Sequence, residues 1–251
     1  VKALAMALAL AATSAPSPAK AQVVELRQYK IVAGQRDAFA ELFDREFVET
    51  QEARGMRLVG QFRDLDDANR FTWVRQFDSV DARAPALSAF YGGPVWAAKR
   101  GQANPFIVQS DNVLYLKPAA PGRGFAPPGP RDGPTGLVTA HILYLWAPPE
   151  EGFAALFDAE ARPRLEAAGL PVLGQFTPEP SPNAYPRLPV REGERVFVWF
   201  TRTTDAAAYE AAQRRLAADP AWAAVKAKLD DGQERPSQVL RLGPTARSAL
   251  R

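Results

Sequence analysis

Residues 39–62 read FAELFDREFVETQEARGMRLVGQF, and residues 153–176 read FAALFDAEARPRLEAAGLPVLGQF. About half the positions agree without a gap, far beyond what composition alone gives, so the chain carries an internal duplication. The agreement runs on downstream. Trp73 matches Trp199, Pro94-Val95-Trp96 matches Pro220-Ala221-Trp222, and Val113-Leu114 matches Val239-Leu240. The register changes once, because the second copy has an extra Pro-rich loop at residues 177–194.

Each copy reads as β-α-β-β-α-β. In the first, residues 23–32 alternate and are rich in β-formers, which predicts a strand. Phe39, Leu42, Phe43 and Phe47 then recur at helical spacing, and Gly55 ends that helix. Residues 58–62 and 70–77 are two further strands around the acidic turn 64–69. A helical region at 81–100 is broken at Gly92-Gly93-Pro94, and residues 112–116 form the last strand. The second copy repeats the order, with strands at 137–145, 172–176, 195–201 and 239–242 and helices at 150–168 and 204–229. Pro163 should kink or restart the first of those helices, and Asp219-Pro220 should start a new one.

This order is the ferredoxin-like unit, an antiparallel sheet with helices on one face. The other face of each sheet is left bare. Two copies, residues 22–118 and 136–245, can bury those faces against each other, which predicts an α+β pseudo-dimeric barrel closed within one chain and helices outside. Residues 119–135, dense in Pro and Gly, read as an exposed linker, and residues 246–251 as a flexible tail.

With 251 residues, 47% hydrophobic and 24% charged, the composition is that of a globular protein. Residues 1–21 read as a secretory signal peptide: Lys2, an Ala/Leu run, then Ala19-Lys20-Ala21 as a small-x-small cleavage site. Removing them takes away two lysines and no acids, so the net charge falls from +3 to +1. Such a balance gives no electrostatic reason for binding nucleic acid, and no later segment is long and apolar enough for stable membrane insertion. The expected location is the periplasm or the medium. Zero cysteines and one histidine exclude the usual zinc and copper sites, and no cofactor is expected.

Val24-Glu25-Leu26-Arg27-Gln28-Tyr29 resembles the opening strand of NIPSNAP domains. Residues 90–96 (FYGGPVW) and 110–114 (SDNVL) resemble the segments that close such a domain. The resemblance covers nearly all of the first copy and, more loosely, the second, which lacks the Glu-x-Arg pair. It implies the dimeric α+β barrel fold and no particular reaction.

Strand alternation places Glu25, Arg27 and Tyr29 on one face, with Phe71, Trp73 and Arg75 beside them. In the second copy, Thr139 and His141 take the places of Glu25 and Arg27, next to Phe197, Trp199 and Thr201. Val196, Val198 and Phe200 form an entirely apolar set suited to the helices, so the opposite, more polar faces are expected to line the barrel interior. That predicts a central cavity holding Glu25, Arg27, Tyr29, Trp73, Arg75, His141 and Trp199. One reading is a pocket for a small, partly apolar ligand, with Arg27, Tyr29, Trp73, Arg75 and Trp199 as its walls and Glu25 or His141 as a general base. The other is a hydrogen-bonded ion cluster between two sheets, with His141 structural and Trp96 and Trp222 packing their helices on the sheet. On function, a binding protein and a cofactor-independent monooxygenase or isomerase both remain open.

Overall fold

The computed structural model describes residues 22–251; the expected signal peptide at 1–21 lies outside the described residues. Half one runs β1 (Val23–Ile31), α1 (Arg36–Glu46), α2 (Val48–Glu52), β2 (Arg57–Asp64), β3 (Arg70–Phe77), α3 (Val80–Tyr91), α4 (Pro94–Ala103), β4 (Ile107–Gln109) and β5 (Val113–Pro118). Half two runs β6 (Leu137–Leu145), α5 (Phe153–Leu156), α6 (Arg162–Ala167), β7 (Val172–Pro178), β8 (Val196–Thr203), α7 (Ala206–Ala217), α8 (Pro220–Asp231) and β9 (Gln233–Pro244).

Eight strands close into an antiparallel barrel in the order β3-β2-β9-β6-β8-β7-β5-β1 and back to β3, while the short β4 pairs with the end of β1. Two seams join the halves. Phe62 of β2 lies opposite Pro244 of β9, and Leu116 of β5 lies opposite Pro178 of β7. Closure leaves none of the eight as a free edge.

The interior is filled mainly by apolar side chains. Val24 and Leu26 of β1, Phe62 of β2, Val74 of β3, Leu114 of β5, Ile142 of β6, Phe176 of β7, Val198 and Phe200 of β8 and Leu240 of β9 belong to one buried apolar cluster. An eight-stranded barrel is just wide enough for side chains to fill it. The alternate faces pack under the helices, as two separate clusters, one per half. The expected orientation is therefore reversed: Glu25, Arg27, Tyr29, Trp73, Arg75, His141 and Trp199 face the helices, and no central cavity holds them. Both faces of every central strand are buried, so polarity could not tell which face met which layer.

The repeated Gly-Gln-Phe has a packing cause. The ring of Phe62 folds back over Gly60, and the ring of Phe176 lies over Gly174, so that a Cβ at either glycine would clash with the phenylalanine. Each glycine also sits at a break in strand register, where β2 and β7 bend.

Helix punctuation follows the sequence closely. The Asp219 carboxylate accepts from the Ala221 N–H at 2.9 Å and starts α8. α5 widens into a π-helical turn at Phe157–Ala161, and α6 starts at Arg162 with Pro163 in its first turn, where no donor is needed. Two connecting segments are less free than expected. In the linker, Phe125 inserts between Phe176 and Phe200, with centroids 4.7 and 5.0 Å away. The C-terminal residues 246–251 are docked rather than loose: Leu250 N–H donates to the Val59 carbonyl at 2.7 Å, and Ser248 is fully buried.

Candidate functional site

The helix-facing side of half one carries a buried cluster built by cross-strand pairing. Glu25 lies opposite Arg75 and Arg27 opposite Trp73. Arg27 Nη1 donates to Glu25 Oε2 at 2.6 Å, and Arg75 Nε donates to the same oxygen at 2.7 Å. From α3, Arg83 Nε donates to Glu25 Oε1 at 2.6 Å. Burial alone would push the Glu25 carboxyl up, but Arg75, Arg27 and Arg83 outweigh it and hold the group well below its ordinary 4.5. Arg27 and Arg75 also stack on Trp73, 5.4 and 5.0 Å from its centroid. Glu25 is thus a committed counter-ion, unsuited to taking a proton near neutral pH.

Beside this cluster lies a cavity of about 120 Å³ under α1–α4. Its wall is mostly aromatic, with Phe39, Phe43, Phe47, Trp73, Phe90 and Trp96. Tyr29, Gln51 and Tyr91 form its polar side, and each accepts from an arginine behind it. Arg27 Nε reaches the Tyr29 hydroxyl at 3.2 Å; Arg75 Nη1 reaches Gln51 Oε1 at 3.0 Å and the Tyr91 hydroxyl at 3.5 Å. Of the expected ligand residues, Tyr29 and Trp73 line this cavity, while Arg27 and Arg75 support it from one layer back. Trp96, expected only to pack its helix on the sheet, is also in the wall.

The loop between β7 and β8 covers this region from half two. Asn183 Oδ1 accepts from Arg83 Nη1 at 2.8 Å, and the Tyr185 ring stacks on Tyr91. Leu188 lines the cavity itself. Sequence reading missed Asn183, Tyr185 and Leu188, because an insertion has no counterpart in the other copy to align with. It also missed Arg83, although Ala86, Leu87 and Phe90 follow it at helical spacing and are all buried. An arginine on the apolar stripe of a helix was the available signal.

The same positions in half two carry no charge. The Glu25–Arg75 pair becomes Thr139 and Thr201, whose hydroxyls lie 2.6 Å apart. His141 lies flat on Trp199, with centroids 4.6 Å apart and 6° between planes, and its Nε2 is 3.3 Å from Thr139 Oγ1. Although His141 keeps some surface exposure, enclosure of the ring pulls its pKa down to about 4, so it is neutral at pH 7. Trp199 packs on Phe157 in the core of this half. These two residues are brought together with each other and not with the arginine cluster. Among the described residues, no group of His, Cys, Asp or Glu could hold a metal ion.

An eight-stranded antiparallel barrel wrapped by helices and closed within one chain defines the class: an α+β barrel, with its candidate site between sheet and helices. Residues 24–121, most of half one, match the family model of NIPSNAP. No curated protein matches the chain. Among solved structures, a proposed monooxygenase from Fusobacterium nucleatum subsp. nucleatum is similar, at TM-score 0.63 and 8% identity, over 90% of this chain and 93% of its own. A proposed monooxygenase from Lactobacillus acidophilus aligns at TM-score 0.58 and 12% identity, over 90% and 94%. An anthrone oxidase-like protein aligns at TM-score 0.57 and 9% identity, over 90% and 92%. At these identities the likeness is one of fold.

Proposed function

We propose that this is an exported binding protein, built from two tandem ferredoxin-like copies, whose NIPSNAP half holds a small planar, largely apolar ligand between its sheet and its helices. The observation that carries this reading is the aromatic cavity of about 120 Å³ beside Tyr29 and Trp73. Cavities of roughly 150 Å³ with apolar walls hold a benzene ring, so one ring is the right scale of ligand. The barrel interior, packed by apolar side chains from all eight strands, is not where we place the ligand. Cleavage after Ala21 would release a chain starting at Gln22.

Native mass spectrometry of the secreted chain tests both parts. The expected result is an N-terminus at or near Gln22 and either a retained small molecule or a rise in melting temperature with single-ring aromatics. A retained 1–21 segment would remove the export reading. No bound mass and no thermal shift across a panel of ring compounds would remove the ligand reading.

A second reading, cofactor-independent oxygenation, is favoured by the hydroxyls of Tyr29 and Tyr91 backed by arginines, which suit a developing oxyanion, and by the names of the fold neighbours. Oxygen uptake in metal-free buffer with phenolic substrates separates it from simple binding.

A further inference from the structure

The arginine cluster carries more positive charge than its protein partners offset. Arg27, Arg75 and Arg83 are at most 1% exposed. Among the described residues, Glu25 is the one carboxylate that forms an ion pair with any of them. A guanidinium keeps its proton under all ordinary conditions. Among the described residues, two of the three positive charges therefore have no carboxylate of their own, in a buried place where charges are normally paired. Unused donors mark the same excess. Arg27 Nη2 and Arg83 Nη2 are buried and donate to no described residue, and Arg75 Nη2 lies 2.7 Å from Glu25 Oε2 but out of line for a hydrogen bond.

Two hydroxyls carry that excess to the cavity wall. Tyr29 accepts from Arg27 and Tyr91 from Arg75, both tyrosines line the cavity, and neither donates its own proton to a described residue. Burial raises the Tyr29 phenol above its ordinary 10, so it keeps its proton at neutral pH. A hydroxyl whose oxygen already accepts from a cation is polarised into a stronger donor. Hence the wall offers two protons and a positive field on one side, and aromatic rings on the others.

From this excess charge we infer that the occupant is an aromatic oxyanion: one flat ring bearing a carboxylate, phenolate or enolate oxygen that accepts the Tyr29 and Tyr91 protons. The inference rests on the ligand reading above and adds the charge. Benzoate and benzamide share shape and size and differ in charge, and quenching of tryptophan fluorescence in the full chain reports the binding of each. Benzoate should bind at least about tenfold more tightly. That preference should shrink in Tyr91→Phe and in Tyr29→Phe, which keep the rings. Equal affinity for the two probes would overturn the anion inference while leaving the cavity reading in place. Binding of neither would overturn both. A preference unchanged in both tyrosine variants would overturn the role given to the hydroxyls.

Discussion

Glu25 and Arg75 in half one stand where Thr139 and Thr201 stand in half two, and the two solutions have different costs. The threonine pair satisfies itself with one short hydrogen bond, whereas the carboxylate is held by three cations. Glu25→Gln should therefore destabilise the fold by roughly 3–5 kcal/mol, since it leaves buried guanidiniums without their anion. Chemical denaturation of both proteins checks this, and an unchanged midpoint would contradict the ion-cluster account. The carboxyl also sets an acid limit. Its folded pKa lies below its ordinary 4.5, so the stabilisation is complete above that pH and is lost as pH falls further. His141 works at milder acidity. Its pKa drops from 6.5 to about 4, so the unfolded chain takes up a proton first, and stability falls as pH goes from 6.5 towards 4. His141→Phe, which keeps a ring on Trp199, should flatten that part of the pH–stability curve; an unaltered slope would show that another group causes it. Of this site, Glu25, Arg27, Tyr29, Trp73 and Arg75 were legible in the sequence as types and as a shared face. What they faced was not, because Val24, Leu26 and Val74 are as fully buried as Glu25 and Arg75.

Among the elements, repeat-borne features were the readable ones. β1 to β3 and their counterparts, the breaks at Gly92-Gly93-Pro94 and Pro163, and the Asp219 cap all lie where residue spacing puts them. β4, the full length of β9 and the docked C-terminus were not readable, since their pairing depends on partners distant in sequence. The β7–β8 loop belongs to this second group. Asn183 joins the loop to Arg83 through Oδ1, which also accepts from the Tyr185 N–H, and its Nδ2 donates to the Leu188 carbonyl. Asn183→Ala should cost about 1–3 kcal/mol and loosen the cover over the cavity. Limited proteolysis would register this as faster cleavage between residues 179 and 195. Equal resistance in wild type and variant would mean that Tyr185 and Leu188 hold the loop unaided.

For the whole molecule, the decisive feature is that each half completes the other's sheet. Residues 22–118 alone would expose the outer edges of β2 and β5 and the apolar face bearing Val24, Leu26, Val74 and Leu114. Light scattering on that fragment should find dimers or aggregates; a well-behaved monomer would be incompatible with the barrel. The seam between β2 and β9 has a further implication. It ties Phe62 to Pro244, so β2 must wait until β9, made after every other strand of half two, has left the ribosome. Until then β2 has an unpaired edge and the apolar face of half one has no cover. Such late, long-range closure makes folding slow and puts its most vulnerable interval during synthesis. A chaperone that shields β2 would therefore act on the nascent chain, before the barrel exists.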